Sequence, residues 1–384
     1  MFAGAPPGRS GLAHSKSVLI VFGTRPEAIK LAPVALEMRR RGGRLLPRLI
    51  TTGQHRDLLD GALGSFGLQA DLDLQLMTED QALSVLAGRA LLGLDAVFTA
   101  ERPSLVLVEG DATTTMCAAL AAFHRRIPVG HVEAGLRTGN RHSPFPEEIN
   151  RRLTTAVTDY HFAPMPRARD TLLAEGVPND RILVTGNTVI DALFAALQRP
   201  CDPGPEIREV LASGDHVVLV TLHRRESFGA DLEAVCTAIR TLLDRRSDLR
   251  IVFPLHPNPR VRETVPGILG GHPRAHLVEP LDYGPFVHTL GAARFVLTDS
   301  GGLQEEAPSL GKPTIVVRRV TERPEAIEAG NARLLGPDPE AIVALGERLL
   351  AGGPEYDLMS ARRDVYGDGR AAIRIVDFLE RQLA

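Results

Sequence analysis

Four residues able to move protons, Asp111, Glu133, Glu147 and His223, stand beside glycines, prolines and clustered arginines. That company favours proton transfer and stabilisation of an anionic leaving group. Gly-x-Ser-x-Gly and Cys-x-x-Cys are both absent, and the three cysteines, at 117, 201 and 236, lack metal-type spacing, so covalent and metal catalysis are disfavoured. Each candidate also has a structural reading. Asp111 suits the cap of a following helix, and Glu147 falls in a first helical turn, where the macrodipole favours a carboxylate by about 0.3–1 kcal/mol.

Anion-binding signals accompany the acids. Gly23-Thr24-Arg25-Pro26-Glu27 follows an apolar run at 17–22 and precedes Lys30. A buried strand ending in a glycine turn with a cation presents positive charge to a ligand, phosphate above all. One glycine and a proline replace the three spaced glycines of a dinucleotide site, which argues against a nicotinamide cofactor. Arg137, Arg141 and His142 crowd the loop after Glu133, and His223-Arg224-Arg225 forms a basic turn. His256, in His256-Pro257-Asn258-Pro259, either faces a ligand or bonds its own loop. Thr298-Asp299-Ser300-Gly301-Gly302 leads into a helix, a place for a pyrophosphate, with Glu306 a turn further on where a ribose hydroxyl would donate. Thr321-Glu322-Arg323-Pro324-Glu325 repeats the Arg-Pro-Glu triplet.

These clusters need strands behind them. Apolar β-branched runs at 17–22, 46–52, 105–109, 128–133 and 181–185 alternate with helical patterns, and a second series follows at 216–222, 250–255, 275–279, 295–298 and 314–317. The pattern predicts an α/β protein of two Rossmann-like, doubly wound parallel-sheet domains whose strand ends face a common cleft. Pro200, Pro203 and Pro205 mark a linker. The expected division is a loose extension at 1–16, a first domain at 17–197, a linker at 198–214, a second domain at 215–366, and a terminal segment at 367–384 whose helix crosses back onto the first domain.

At 384 residues the chain is long enough for two cores. Its net charge of −3 gives no bulk attraction to nucleic acid or membrane, so any anion site is made of local cations. With 4% aromatics and no tryptophan it has no stacking platform, and its few cysteines read as buried thiols in a reducing compartment. No signal peptide and no uninterrupted apolar run of about 18 residues is present, so a cytoplasmic protein is expected.

From about residue 17 onward the motifs occur in an order that resembles the non-hydrolysing bacterial UDP-N-acetylglucosamine 2-epimerases. They are Gly-Thr-Arg-Pro-Glu-Ala-Ile-Lys at 23–30, Gly-Gln-His-Arg at 53–56, Gly-Asp at 110–111 and His-Val-Glu-Ala-Gly-Leu-Arg-Thr-Gly at 131–139. Pro-Glu-Glu at 146–148, His-Arg-Arg-Glu at 223–226, Asp-Ser-Gly-Gly-x-Gln-Glu-Glu-Ala at 299–307 and Thr-Glu-Arg-Pro-Glu at 321–325 complete the set. The resemblance implies a GT-B-like fold and reversible conversion of UDP-GlcNAc into UDP-ManNAc, without NAD or metal, in a cytoplasmic homodimer serving cell-surface polysaccharide synthesis.

A C2 hydrogen that is not beside a carbonyl yields no stabilised carbanion. The implied route is therefore elimination of UDP to a 2-acetamidoglucal and re-addition, with acid/base groups on both faces of the ring. By resemblance, Asp111, Glu133, Glu147 and His223 are catalytic. Arg25, Lys30, Ser300, Gly301 and Gly302 contact phosphates, Glu306 the ribose, and Arg323 completes the positive pocket. Arg151, His256 and Phe286 join the substrate contacts, while Gln54 and His256 belong to a second, activating UDP-GlcNAc site. Ala112, Leu222, Arg319 and Val320 depart from the pattern, as does Asp57 near the activator site. A GT-B glycosyltransferase, or an epimerase of a modified UDP-sugar, is the competing reading.

Overall fold

The computed structural model describes residues 15–53, 56–78, 81–224, 227–321 and 323–383. Gln54 lies outside them, as does most of the expected extension at 1–16. The strands are β1 (Lys16–Phe22), β2 (Leu45–Thr51), β3 (Leu72–Asp73), β4 (Leu105–Glu109), β5 (Val129–Val132), β6 (Tyr160–Ala163) and β7 (Ile182–Val184), then β8 (His216–Thr221), β9 (Leu249–Pro254), β10 (Ala275–Val278), β11 (Phe295–Thr298), β12 (Thr314–Val316) and β13 (Ala332–Leu334). The helices used below are α1 (Arg25–Arg41), α2 (Arg56–Gly64), α3 (Leu83–Glu101), α4 (Thr113–His124), α5 (Glu147–Ala156), α6 (Pro166–Ala174), α7 (Thr188–Leu197), α8 (Pro205–Ala212), α9 (Ala230–Arg245), α10 (Pro259–Leu269), α11 (Tyr283–Ala292), α12 (Leu303–Ser309), α13 (Glu325–Glu328), α14 (Pro339–Ala351), α15 (Pro354–Ser360) and α16 (Ala371–Gln382).

All strand pairs are parallel. One sheet runs β3-β2-β1-β4-β5-β6-β7 and the other β10-β9-β8-β11-β12-β13, each the doubly wound order of a Rossmann-like fold. Both lie between helical layers, so the central strands bury both faces. Val18, Leu19, Ile20 and Val21 are all sealed in β1, as are Val218, Leu219 and Val220 in β8.

Contacts divide the chain into unit 1 (Met1–His55, Gln69–Thr185 and Ala372–Ala384) and unit 2 (Arg56–Leu68 and Gly186–Ala371). This differs from the expected boundaries in three places. The stretch at 56–68 and helix α7 belong with unit 2, and the expected linker at 198–214 carries α8, whose Ile207 and Val210 are buried. Pro205 starts that helix at its first position, where a missing N–H costs nothing, so the proline signals a helix start as well as a break. In the terminal helix, Phe378 of α16 meets Tyr160 and Phe162 of β6 edge-on.

Helix α3 is long and apolar enough to cross a membrane by length and composition, with mean hydropathy 1.5. Arg89 and Asp95 interrupt its apolar run, which is why sequence reading passed it over. Its Leu86, Ala90, Leu94 and Phe98 are buried in the core of unit 1, whereas Val85 and Leu92 are exposed. Cys117 and Cys236 are buried thiols, pushed by burial up to about 11 and about 12, and Cys201 is half-buried.

Candidate active site

Both sheets change direction at their centre, between β1 and β4 in unit 1 and between β8 and β11 in unit 2. Beyond the carboxyl ends at such a switch point is where open α/β sheets bind ligands. The turns after β1, β4, β8 and β11 hold Arg25, Asp111, His223 and Ser300-Gly301-Gly302 respectively.

In unit 1 the first turn is built by Glu27, which sequence reading gave no role. Its carboxylate accepts from the backbone N–H groups of Gly23 (2.8 Å) and Thr24 (2.6 Å), its own N–H donates to Thr24 Oγ1, and the Thr115 hydroxyl donates to its other oxygen. This capping box starts α1 and fixes the turn that carries Arg25. A Cβ on Gly23 would lie 2.5 Å from Thr52 Oγ1 and 2.6 Å from Thr114 Oγ1, so the turn admits only glycine.

Lys30, one helical turn on, was expected at a phosphate; the structure holds it between two carboxylates. Its Nζ donates to Glu109 Oε1 at 2.9 Å and to Glu133 Oε2 at 2.6 Å. Glu133 has φ of +61°, a left-handed conformation in which a non-glycine residue is strained. Glu109, the last residue of β4, is 2% exposed. Burial pushes its carboxyl well up, the Lys30 charge opposes this, and nearby Glu133 and Glu27 reinforce it. The sequence signal for Glu109 was a carboxylate closing an otherwise apolar buried strand.

Asp111 does not cap α4. The cap position is Ala112, without a side-chain bond, and the Asp111 carboxylate takes two bonds from Arg151, from Nε at 2.9 Å and Nη2 at 2.6 Å. Asn150 Nδ2 holds the Asp111 carbonyl at 2.9 Å, so α5 fixes both ends of this residue. His131 on β5 lies 2.8 Å from the Gly110 carbonyl, to which its Nε2–H donates. Burial lowers this imidazole to about 4, which keeps it neutral.

Glu147 is half-buried in the first turn of α5, as expected. Its neighbour Glu148, which sequence reading did not single out, is fully buried and accepts from the N–H groups of Thr138 (2.9 Å) and Gly139 (3.3 Å), so it shapes the loop. Arg137 is tied to Glu175 at 2.8 Å and to the Thr155 hydroxyl at 2.9 Å.

In unit 2, Asp299 organises the turn. Fully buried, it accepts from the N–H groups of His223 (3.0 Å) and Arg224 (2.9 Å), and lies 3.2 Å from His223 Nδ1. Burial alone would raise this carboxyl, but the bond and charge of His223 and these backbone bonds hold it below its ordinary value. An Nδ1–H donated to Asp299 leaves Nε2 as the free nitrogen. His256 stacks on His223 with centroids 5.9 Å apart, and its Nδ1 accepts from Asn258 N at 3.2 Å, so it does bond its own loop. Burial first, and His223 second, lower its imidazole.

Ser300 N donates to Thr298 Oγ1 at 2.9 Å, and the Ser300 carbonyl accepts from Gln304 at 3.1 Å. Thr321 donates to Gln304 at 2.6 Å and accepts from Arg323 N at 3.1 Å, which ties Thr321 and Arg323 to the glycine turn. Arg323 is itself paired with Glu305, which also accepts from Asn187 at 2.6 Å. Glu306, on buried α12, accepts from the Tyr283 hydroxyl at 2.8 Å, and Phe286 is half-buried on α11. Among the described residues no group of three His, Cys, Asp or Glu is placed to hold a metal ion.

Two Rossmann-like sheets with proton-moving groups at one switch point and a glycine turn at the other define an α/β protein equipped for a nucleotide-linked substrate. Residues 37–380 match the family model described as UDP-N-acetylglucosamine 2-epimerase, and the chain belongs to that family. It is 48% identical to UDP-N-acetylglucosamine 2-epimerase of Bacillus subtilis over 362 residues, covering 94% of each chain. Against the Salmonella typhimurium enzyme of the same name it is 47% identical, covering 94% of this chain and 98% of the other. The crystal structure of UDP-GlcNAc 2-epimerase from Neisseria meningitidis bound to UDP-GlcNAc superposes with TM-score 0.85 at 42% identity, covering 95% of this chain and 100% of that one. A glycotransferase of kitacinnamycin, 16% identical with TM-score 0.63, shares the fold alone. The expected fold and family are thus both borne out.

Proposed function

We propose that this protein interconverts UDP-GlcNAc and UDP-ManNAc by eliminating UDP to a 2-acetamidoglucal and adding it back. The observation that carries the reading is the joining of near-full-length identity to the Bacillus subtilis epimerase with a strained Glu133 held against Lys30 at 2.6 Å. A carboxylate so held is a preorganised base for the C2 proton. Asp111 and Glu147 are the further acid/base groups, and His223 the corresponding group of unit 2. Ser300, Gly301 and Gly302 take the diphosphate with Arg25, Glu306 takes the ribose, and Arg151, His256, Phe286 and Arg323 complete the contacts. No cofactor enters this scheme. A second UDP-GlcNAc at Gln54 and His256 acts as activator, and the enzyme works in the cytoplasm as a homodimer, the exposed Val85 and Leu92 of α3 supporting a partner surface.

Incubation with UDP-GlcNAc in D₂O tests this directly. Deuterium at C2 of a product that retains UDP is the expected result. Free ManNAc, turnover only with a sugar acceptor, or binding without exchange would each overturn it, and turnover confined to a modified UDP-sugar would move the substrate assignment.

A further inference from the structure

One hydroxyl proton stands between two oxygen atoms in the core of unit 1. Thr115 Oγ1, in the first turn of α4, bonds Glu27 Oε1 and lies 2.9 Å from the Glu109 carbonyl oxygen. Glu27 is 4% exposed, and Thr115 and Glu109 are 2% exposed. A hydroxyl has a single proton to donate, and a peptide carbonyl can only accept. If Glu27 is ionised, both neighbours of Thr115 compete for that proton, and the one refused is left as a buried oxygen facing lone pairs.

The backbone decides which neighbour receives it. Gly110 N–H donates to Val132 O on β5 at 3.2 Å, and in a trans peptide the preceding carbonyl, that of Glu109, points the opposite way, toward β1. There the paired register runs only to Ile20 opposite Leu107, and the Gly23 N–H beyond it is taken by Glu27. The Glu109 carbonyl therefore takes its proton from Thr115, and Glu27 supplies the proton of its own bond to that hydroxyl. The other Glu27 oxygen, Oε2, accepts from the N–H groups of Gly23 (2.8 Å) and Thr24 (2.6 Å), which a carbonyl oxygen accommodates with its two lone pairs.

We infer that Glu27 is a neutral carboxylic acid in the folded protein and a positioning residue: its O–H donates to Thr115, Thr115 donates to the Glu109 carbonyl, and this directed chain binds the turn at the start of α1 to the turn that carries Asp111. The bond between Glu27 and Thr115 thus runs opposite to the sense an ionised carboxylate would impose. Burial agrees, since it raises this carboxyl against the bonds from Thr115, Gly23 and Thr24, which lower it. Only the kinetic consequence rests on the proposed epimerase activity.

Infrared difference spectra of the full chain at pH 7, in H₂O and D₂O, read the proton directly. The parent should show a protonated-carboxyl band that disappears in Glu27→Gln and moves to higher frequency in Thr115→Val, which removes the acceptor of the acid O–H. A parent without such a band refutes the inference, whatever reaction the protein catalyses and whether or not the variants fold. A band that survives Glu27→Gln belongs to another carboxyl and also refutes it, and a band that Thr115→Val leaves in place overturns the direction of the chain. For the positioning role, kcat and KM for UDP-GlcNAc are compared in Glu27→Gln and Glu27→Ala. Glutamine repeats the pattern, its carbonyl accepting from the two N–H groups and its amide donating to Thr115, so kcat within about threefold of the parent is expected. Alanine removes the chain, and kcat should fall about tenfold or more with KM nearly unchanged. Full kcat in the alanine variant, or a glutamine loss as large as that of alanine, removes the positioning role. No turnover in a parent that shows the infrared band would instead fail the proposed function and leave the proton assignment standing.

Discussion

Lowering the pH should loosen unit 1 through His131 before the carboxylates matter. This imidazole is 1% exposed and donates through Nε2 to the Gly110 carbonyl, while its Nδ1 faces no partner among the described residues. Burial lowers it from 6.5 to about 4. In the unfolded chain it protonates near the higher value, so between the two values the unfolded state binds more protons and stability falls as pH falls. The loss starts near 6.5 and levels off below about 4, where the folded state protonates too. For such a shift the loss between pH 8 and pH 5 is about 2 kcal/mol, or about 30-fold in an opening equilibrium. Amide hydrogen exchange of β4 and β5, corrected for intrinsic rates, reports that equilibrium for unit 1. His131→Gln keeps a donor for Gly110 and removes the titration, so the difference between parent and variant cancels carboxylates and His161, itself lowered to about 3 mainly by burial. Protection of the parent should fall about 30-fold more than that of the variant across this pH interval. Parallel losses would refute the assignment of a buried neutral imidazole.

Asp299→Asn removes the charge that two backbone N–H groups and the His223 ring share, and an amide can accept only part of that set. We expect a loss of about 1–3 kcal/mol in stability, read by denaturant unfolding. An unchanged unfolding midpoint would refute the role of Asp299 in holding this turn. Asp111→Asn, Glu133→Gln and His223→Ala should each slow turnover about 10²–10⁴-fold while calorimetric binding of UDP survives. Near-parent rates in all three would remove their assigned roles.

The sheets were legible because buried parallel strands are apolar on both faces: β4 and β11 were predicted residue for residue. The strands missed were β3, β6 and β13, only two to four residues long and carrying polar or charged residues such as Asp73, His161 and Arg333. Strand-end motifs picked out the candidate residues, since glycine, proline and charge together are unusual there. Partners were not legible, because they come from elsewhere in the chain. Nothing in the sequence near Asp111 points to Arg151, 40 positions away, or near Lys30 to Glu109, 79 positions away. Asp299 and Glu27 were visible inside motifs, but their work is to hold backbone amides, which only the turn geometry reveals.

That geometry separates the work of the two units. The switch point of unit 1 gathers Glu27, Glu109, Asp111 and Glu133, and its Lys30 and Arg151 are engaged by carboxylates. A dianionic diphosphate placed against so many carboxyls would be repelled, whereas a C–H or hydroxyl proton finds acceptors at fixed positions. The corresponding end of unit 2 offers Gly301, Gly302 and His223, with buried Asp299 turned inward onto backbone amides, Glu305 paired with Arg323 and Glu306 bonded by the Tyr283 hydroxyl. The cation of the Arg-Pro-Glu turn in unit 1, read from sequence as phosphate-binding, therefore divides into two parts. Lys30 is held by Glu109 and Glu133, and Arg25 stands at the start of α1 on a turn braced by Glu27. Lys30→Ala should accordingly depress kcat and disturb its pH dependence, with the affinity for UDP itself largely retained.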